Sequence, residues 1–256
     1  MPSEEARDYF EFIADLGMTK HYGSMDATRK LIDLCHIEGD RLVLDVGCGV
    51  GATPCYLADA IGCRAVGIDL IAKMTVQSRR RARAAGVGER VAFAVADGGR
   101  LPFEDDRFDA VIAESVTVFF DDKRQPMREY IRVTKPGGYV GITEMTWLQP
   151  PAPDLAATFK ELAYVQALDA DGWQALLADA GLLDVGARAY RIDLAAESKG
   201  RLARYGPWGI VKILLRMLGM LVGSRRARRI MGGGVGALSK EALDVVGYGV
   251  YAGRKA

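Results

Sequence analysis

The stretch VLDVGCGVGAT, residues 43–53, constrains this chain more than any other. An apolar strand runs straight into three glycines and then into a helix-like segment. Gly47, Gly49 and Gly51 allow positive φ and let a ligand approach the backbone closely. The helix that follows offers unpaired N–H groups at its start. Strand, glycine turn and helix make the first half of a βαβ unit, and the rest of the chain repeats the alternation. LVLDV (42–46) is followed by a helix-like 53–61, the strand RAVGID (64–69) and a basic helix over 72–85. VAFAVAD (91–97), FDAVIAES (108–115) and GGYVGITEM (137–145) read as strands, with a helix over 123–133 before the last of them. A helix over 173–182 and strands at 185–193 and 245–253 complete the series, and two amphipathic helices, 3–16 and 24–36, precede it. Such alternation predicts a parallel, doubly wound α/β sheet. The near-continuous apolar strands predict cover on both faces. PPAPD (150–154) reads as a linker into the C-terminal third.

Composition narrows the partners. Thirty-four Lys and Arg against 33 Asp and Glu leave a net charge of +1, so no global field favours nucleic acid. The basic runs RRRAR (79–83) and RRARR (225–229) lack interleaved aromatics and read as solvated helix faces. Cys35, Cys48, Cys55 and Cys63 form no CxxC pair, and His21 and His36 are the only histidines, so no metal site is expected. The start, MPSEEARDYFEF, lacks the pattern of a secretion signal, and a reduced, cytoplasmic protein is the expectation.

The glycine loop alone is ambiguous. Gly47-x-Gly49-x-x-Ala52 also satisfies the nicotinamide fingerprint, and Asp69, 22 residues beyond Gly47, ends the next strand where a carboxylate accepts from ribose hydroxyls. Asp45 breaks the tie. It stands two residues before Gly47, where an anion disfavours a diphosphate and favours the sulfonium and ammonium of S-adenosylmethionine.

VLDVGCGVGAT resembles the first motif of class I S-adenosylmethionine-dependent methyltransferases. GIDL (67–70), VADGGRLPFEDDRFDAVIAES (95–115) and RVTKPGGYVGITE (132–144) continue the resemblance in order, closest to the small-molecule branch of ubiquinone/menaquinone and sterol C-methyltransferases. It implies a Rossmann-like, seven-stranded, mostly parallel doubly wound sheet with N-terminal helices and a helical insertion before the last strand. Residues 1–36 would form cap helices, 37–195 and 244–256 the core, and 196–243 the insertion. Gly47, Gly49 and Gly51 would line the methionine moiety, with Asp45 near its amino group and Tyr22 at its carboxylate. Asp69 would hold the ribose, with Leu70 and Met74 against the nucleoside. Asp97, followed by Gly98, would accept from the adenine amino group, and Glu114–Ser115 would close the site.

Methyl transfer from a sulfonium needs mainly proximity and in-line orientation. A base is required only where the acceptor must lose a proton. His21 and Glu144 are the candidates; for Glu144 a solvated strand-end acid is the competing reading. The expected function is therefore methyl transfer to a small, apolar or amphipathic acceptor. A nicotinamide-dependent oxidoreductase and a non-catalytic S-adenosylmethionine-binding module are the alternatives.

The segment WGIVKILLRMLGMLVGSRRARR (208–229) lies inside the insertion. Its 16 mostly apolar residues, Trp208–Gly223, fall short of the about 20 that span a bilayer. Core packing, a lid over the acceptor and peripheral membrane contact through 208–229 remain open.

Overall fold

A computed structural model of the protein describes residues 4–16, 23–223 and 240–256. Two helices come first, α1 (Glu4–Leu16) and α2 (Ser24–Leu34). β1 (Leu42–Val46) leads through the glycine turn into α3 (Ala52–Tyr56), which widens into a π-helical turn, Leu57–Ile61. β2 (Arg64–Asp69), α4 (Ala72–Ala84), β3 (Val91–Val95) and β4 (Phe108–Glu114) follow. Then come α5 (Arg124–Val133), β5 (Thr134–Trp147), α6 (Pro153–Ala163), β6 (Leu168–Asp169), α7 (Ala170–Asp179) and β7 (Leu183–Arg191). α8 (Leu194–Gly223), α9 (Lys240–Val245) and β8 (Val246–Arg254) complete the chain.

The strands form one sheet in the order β3-β2-β1-β4-β5-β8-β7. β1 to β5 run parallel, and β8 lies antiparallel between β5 and β7. The expected seven strands are all present, and the two-residue β6 adds an eighth beside Thr146 and Trp147.

Alternation along each strand splits the core in two. Val43, Ala110, Ile112 and Val250 face α2, α3 and α4, meeting Ala27, Leu31, Leu57 and Ala82. Their neighbours Leu44, Val111, Ala113 and Tyr251 face α5 and α7, meeting Met127, Tyr130, Trp173 and Leu177. This is the three-layer arrangement that apolar parallel strands require. Indole donors are satisfied inside it: Trp173 Nε1 donates to the Met145 carbonyl at 3.0 Å and Trp147 Nε1 to that of Ala167 at 3.1 Å.

Two stretches differ from expectation. PPAPD is no mere linker, because Pro153 opens α6, where proline's fixed φ and missing N–H suit the first turn. Within the stretch expected to form an insertion, α8 is broken at Gly206, whose φ of 65° and ψ of 169° are not helical. No helix among the described residues is long and apolar enough to cross a membrane.

Candidate active site

β1 is flanked by β2 on one side and β4 on the other, so strand order reverses there. Open α/β sheets bind ligands at the carboxyl edge of such a point. A cavity of about 540 Å³ lies there. Its floor is the glycine turn, with Gly47, Cys48 and Gly49 exposed to it. Gly47 has φ 70°, and a Cβ added to it would lie 2.3 Å from Val116 Cγ2, so only glycine fits. Gly98 also lines the cavity, and a Cβ there would meet Val46 Cγ1 at 2.8 Å.

Four acids expected at the site reach it, each from a different strand end. Asp45 is 3% exposed, and no hydrogen bond or ion pair reaches its carboxylate among the described residues. Burial, then Glu114, then Asp69 push its carboxyl well above the usual range. Asp69 braces the floor, accepting from Gly49 N and Ile71 N, both at 2.9 Å. Burial raises its pKa, and those two amides offset part of the rise. Asp97 accepts from Gly99 N at 2.9 Å, which fixes the turn after β3. Glu114 accepts from Thr53 Oγ1 at 2.6 Å and Thr28 Oγ1 at 2.7 Å, tying α2 and α3 to β4. Asp121 and Asp122 stand on the same wall, and Lys160 is the one cation among the described lining residues.

Leu70, Met74 and Ser115 line the same cavity. Gly51 does not. Its φ of 76° starts α3, and an added Cβ would meet Ser78 Cβ at 2.7 Å, so its smallness serves the contact with α4. Glu144 is neither solvated nor in the cavity. It is fully buried on β5, where it accepts from Val116 N and Thr117 N, so it cannot touch an acceptor in this arrangement. His21 and Tyr22 lie outside the described residues.

The cover was not foreseen in detail. Tyr9, Phe10 and Ile13 of α1 form a roof, and Phe119, Tyr164 and Gln166 a side wall. The rings run in a chain: Tyr164 to Tyr9 at 6.1 Å, Tyr9 to Phe10 at 5.6 Å and Phe10 to Phe119 at 4.8 Å between centroids. Burial pushes the Tyr9 phenol up to about 12, so it stays a neutral donor. α8 lies behind this roof: Met217 and Met220 pack on Phe12 and Leu16 of α1, and no described α8 side chain lines the cavity.

Fold and site together define an open α/β sheet with an acid-lined cavity at its carboxyl edge. A family model described as "Methyltransferase domain" matches residues 44–142. The chain is 33% identical over 159 residues to the methyltransferase GfsG of Streptomyces halstedii, covering 60% of this chain and 57% of that protein. It is 32% identical over 204 residues to the 27-O-demethylrifamycin SV methyltransferase of Amycolatopsis mediterranei, covering 71% and 74%. Among solved structures, the 4+2 cyclase SpnF shares the fold at TM-score 0.78 and 20% identity, covering 99% of this chain and 96% of that one. A methyltransferase from Geobacter sulfurreducens, in complex with S-adenosylhomocysteine, shares it at 0.69 and 22%, covering 95% and 96%. The chain belongs to the S-adenosylmethionine-dependent methyltransferase family. Its cofactor is S-adenosylmethionine. The oxidoreductase and non-catalytic readings draw no support from these relatives.

Proposed function

We propose that the protein transfers a methyl group to a small, apolar or amphipathic acceptor held beneath the aromatic roof. The observation that carries this is the charge balance of the cavity: six carboxylates, from Asp45, Asp69, Asp97, Glu114, Asp121 and Asp122, face one lysine. A diphosphate would be repelled there, whereas an ammonium and a sulfonium are attracted. Asp45, buried without a protein partner among the described residues, fits the amino group of the cofactor. Asp69 fits the ribose hydroxyls, since each of its oxygens spends one lone pair on the loop and keeps another. Leu70 and Met74 offer apolar contact to the nucleoside, and the turn at Asp97–Gly98 offers polar contact to adenine. The cofactor supplies an electrophilic methyl group on a positively charged leaving group. The chain's own part is to orient the two partners and exclude water.

Two curated relatives point the same way. GfsG and the rifamycin enzyme are named as methyltransferases, and the latter's name specifies an O-methylation substrate of its own. The chain spans 57% of the length of GfsG, so the acceptor stays open to the aromatic wall's preference for flat or apolar molecules. Calorimetry tests the reading. S-adenosylmethionine and S-adenosylhomocysteine are expected to bind and NADH is not; binding of NADH alone would overturn it.

A peripheral membrane role belongs with this proposal. Trp208, Val211, Leu214, Leu215, Leu218 and Val222 of α8 are exposed by 40–77%. At 100° per residue they fill one arc, with exposed Lys212 and Arg216 along one edge. That pattern suits a helix lying in an anionic lipid interface at the cytoplasmic side, where four unpaired cysteines stay reduced. Vesicle flotation tests it. Recovery with phosphatidylglycerol-containing vesicles that is lost in Leu215→Glu/Leu218→Glu supports the role, and equal recovery of both proteins sinks it.

A further inference from the structure

Glu144 stands where a base was expected, yet it faces away from the cavity. Its Oε1 accepts from Val116 N at 3.1 Å and Thr117 N at 2.7 Å. Those residues follow Ser115, whose φ of 57° lies in the left-handed region that non-glycine residues occupy at a cost. Ser115 N is held in turn by the Thr143 carbonyl at 2.7 Å, one residue before Glu144 on β5. The turn thus hangs on two adjacent residues of the neighbouring strand. Its front face, Ser115, Val116 and Phe119, is cavity wall. Val116 is also the side chain wedged against Gly47, so the position of this turn sets the room over the glycine floor.

Packing alone does not account for a carboxyl at this place. Burying one is costly, and an apolar side chain would fill β5 more cheaply. Ser115 Oγ and Thr143 Oγ1 are buried with no hydrogen-bond partner among the described residues, and the buried Thr117 hydroxyl stands between the Glu144 carboxyl and the Tyr130 phenol. The polar patch behind the turn is therefore short of partners, and without Glu144 the two amides would join it. The charged and titratable groups within reach are Lys123 just ahead of α5, Tyr130 of α5 and Tyr251 of β8; Asp45 and Asp97 act on the same Tyr130.

We propose that Glu144 is a positioning residue: by accepting from the Val116 and Thr117 amides, it holds the Ser115–Phe119 wall in the shape the nucleoside cofactor requires. The proposal rests on the methyltransferase reading. It assigns Glu144 no contact with cofactor or acceptor. Burial pushes its carboxyl up to about 7, so the strength of this support changes near neutral pH.

The test is calorimetry of S-adenosylhomocysteine binding to the wild type, Glu144→Ala and Glu144→Gln at pH 6 and pH 8, with thermal melts in parallel. Alanine orphans two amides, so binding is expected to weaken roughly tenfold. Glutamine keeps one acceptor oxygen and is expected to restore affinity to within about threefold. It is also expected to gain less affinity than the wild type between pH 6 and pH 8, because its amide does not titrate. Wild-type affinity in Glu144→Ala with a lowered melting temperature would overturn the proposal in favour of packing. A loss in Glu144→Gln as large as in alanine would overturn it in favour of an acid acting in the site. Should alanine fail to fold, the glutamine variant decides, and a pH response identical to the wild type's counts against the proposal. Failure of the wild type itself to bind would strike the underlying methyltransferase reading instead.

Discussion

The floor of the cavity and its cover are built in different ways. Asp45, Asp69 and Glu114 are placed by sheet register, and Asp69 and Glu114 are each pinned by two further hydrogen bonds. The cover is a helix resting on small apolar clusters. α1 meets the body through Ala14 against Val50, Ile71 and Met74, and through Phe12 and Leu16 against Met217 and Met220. Its polar ties include Lys73 to Asp15 and Gln77 to the Ala14 carbonyl, both at 2.8 Å. A floor pinned in this way suits a cofactor that does not vary, while a roof seated on small apolar clusters suits a part that admits, shapes and releases an acceptor.

The comparison breaks most decisively at Asp69. Asp69→Ala removes the proposed ribose acceptor and the brace on Gly49 together, so S-adenosylhomocysteine affinity is expected to fall about 100-fold by calorimetry. A change below threefold would show that the floor does not hold the cofactor. On the other side of the divide, Phe10→Ala and Tyr164→Ala are expected to raise KM for an identified acceptor about tenfold while leaving cofactor affinity within about twofold. Equal losses of both would erase the distinction between floor and cover.

Acidity sharpens the same contrast. Asp45 is held above its usual range by burial and by two other acids, and a bound ammonium favours its ionised form. Cofactor binding should therefore release protons, and affinity should rise with pH up to the shifted pKa and then level off, by at most about tenfold per unit. Calorimetry in buffers of differing ionisation enthalpy measures that release, and Asp45→Asn should abolish most of it.

Stability of the free protein runs the opposite way. Glu144 binds its proton more tightly folded, at about 7, than at its ordinary 4.5. Between those values the native state holds more protons than the unfolded one, so stability falls as pH rises. Glu144→Gln should remove about 2 kcal/mol of that decline between pH 5 and pH 8 in urea titrations. The smallest effect belongs to the exposed arc of α8. Leu215→Ser should shift stability by no more than about 0.5 kcal/mol. A larger loss would mean that this face is covered in the free protein.

The floor was legible because strand ends announce themselves. An apolar run that stops at an acid, as at Asp45 or Asp69, gives both the strand and the point where it meets the cavity. The cover was not legible in the same way. Periodicity marks a buried face on α1, but it does not say whether that face meets core or cavity, as Tyr9, Phe10 and Ile13 do. α6 did leave a signal, a proline ahead of Leu155 and Phe159 at i, i+4 spacing, and reading PPAPD as linker missed it. Gly51 sits in the same pattern as Gly47 and Gly49, yet spacing does not tell a ligand's neighbour from a helix's. Glu144 shows that strand position gives direction but not depth, since the turn that buries it comes from another strand. Residues 164–166 carry no periodic pattern, and Gln166 reaches the wall through its bond to Asp121 and its backbone tie to Val118.

The place of β8 has a consequence for how the molecule is made. Every ladder bond of β7 is to β8, and β8 in turn fills the edge of β5. During synthesis β7 emerges with nothing to pair with, and must wait through the whole of α8 and α9 until residues 246–254 arrive. For that interval the half-made sheet exposes β5 as an open edge, the kind that invites a neighbouring chain. The apolar face of α8 is present throughout, so the nascent protein is more prone to self-association than the finished one.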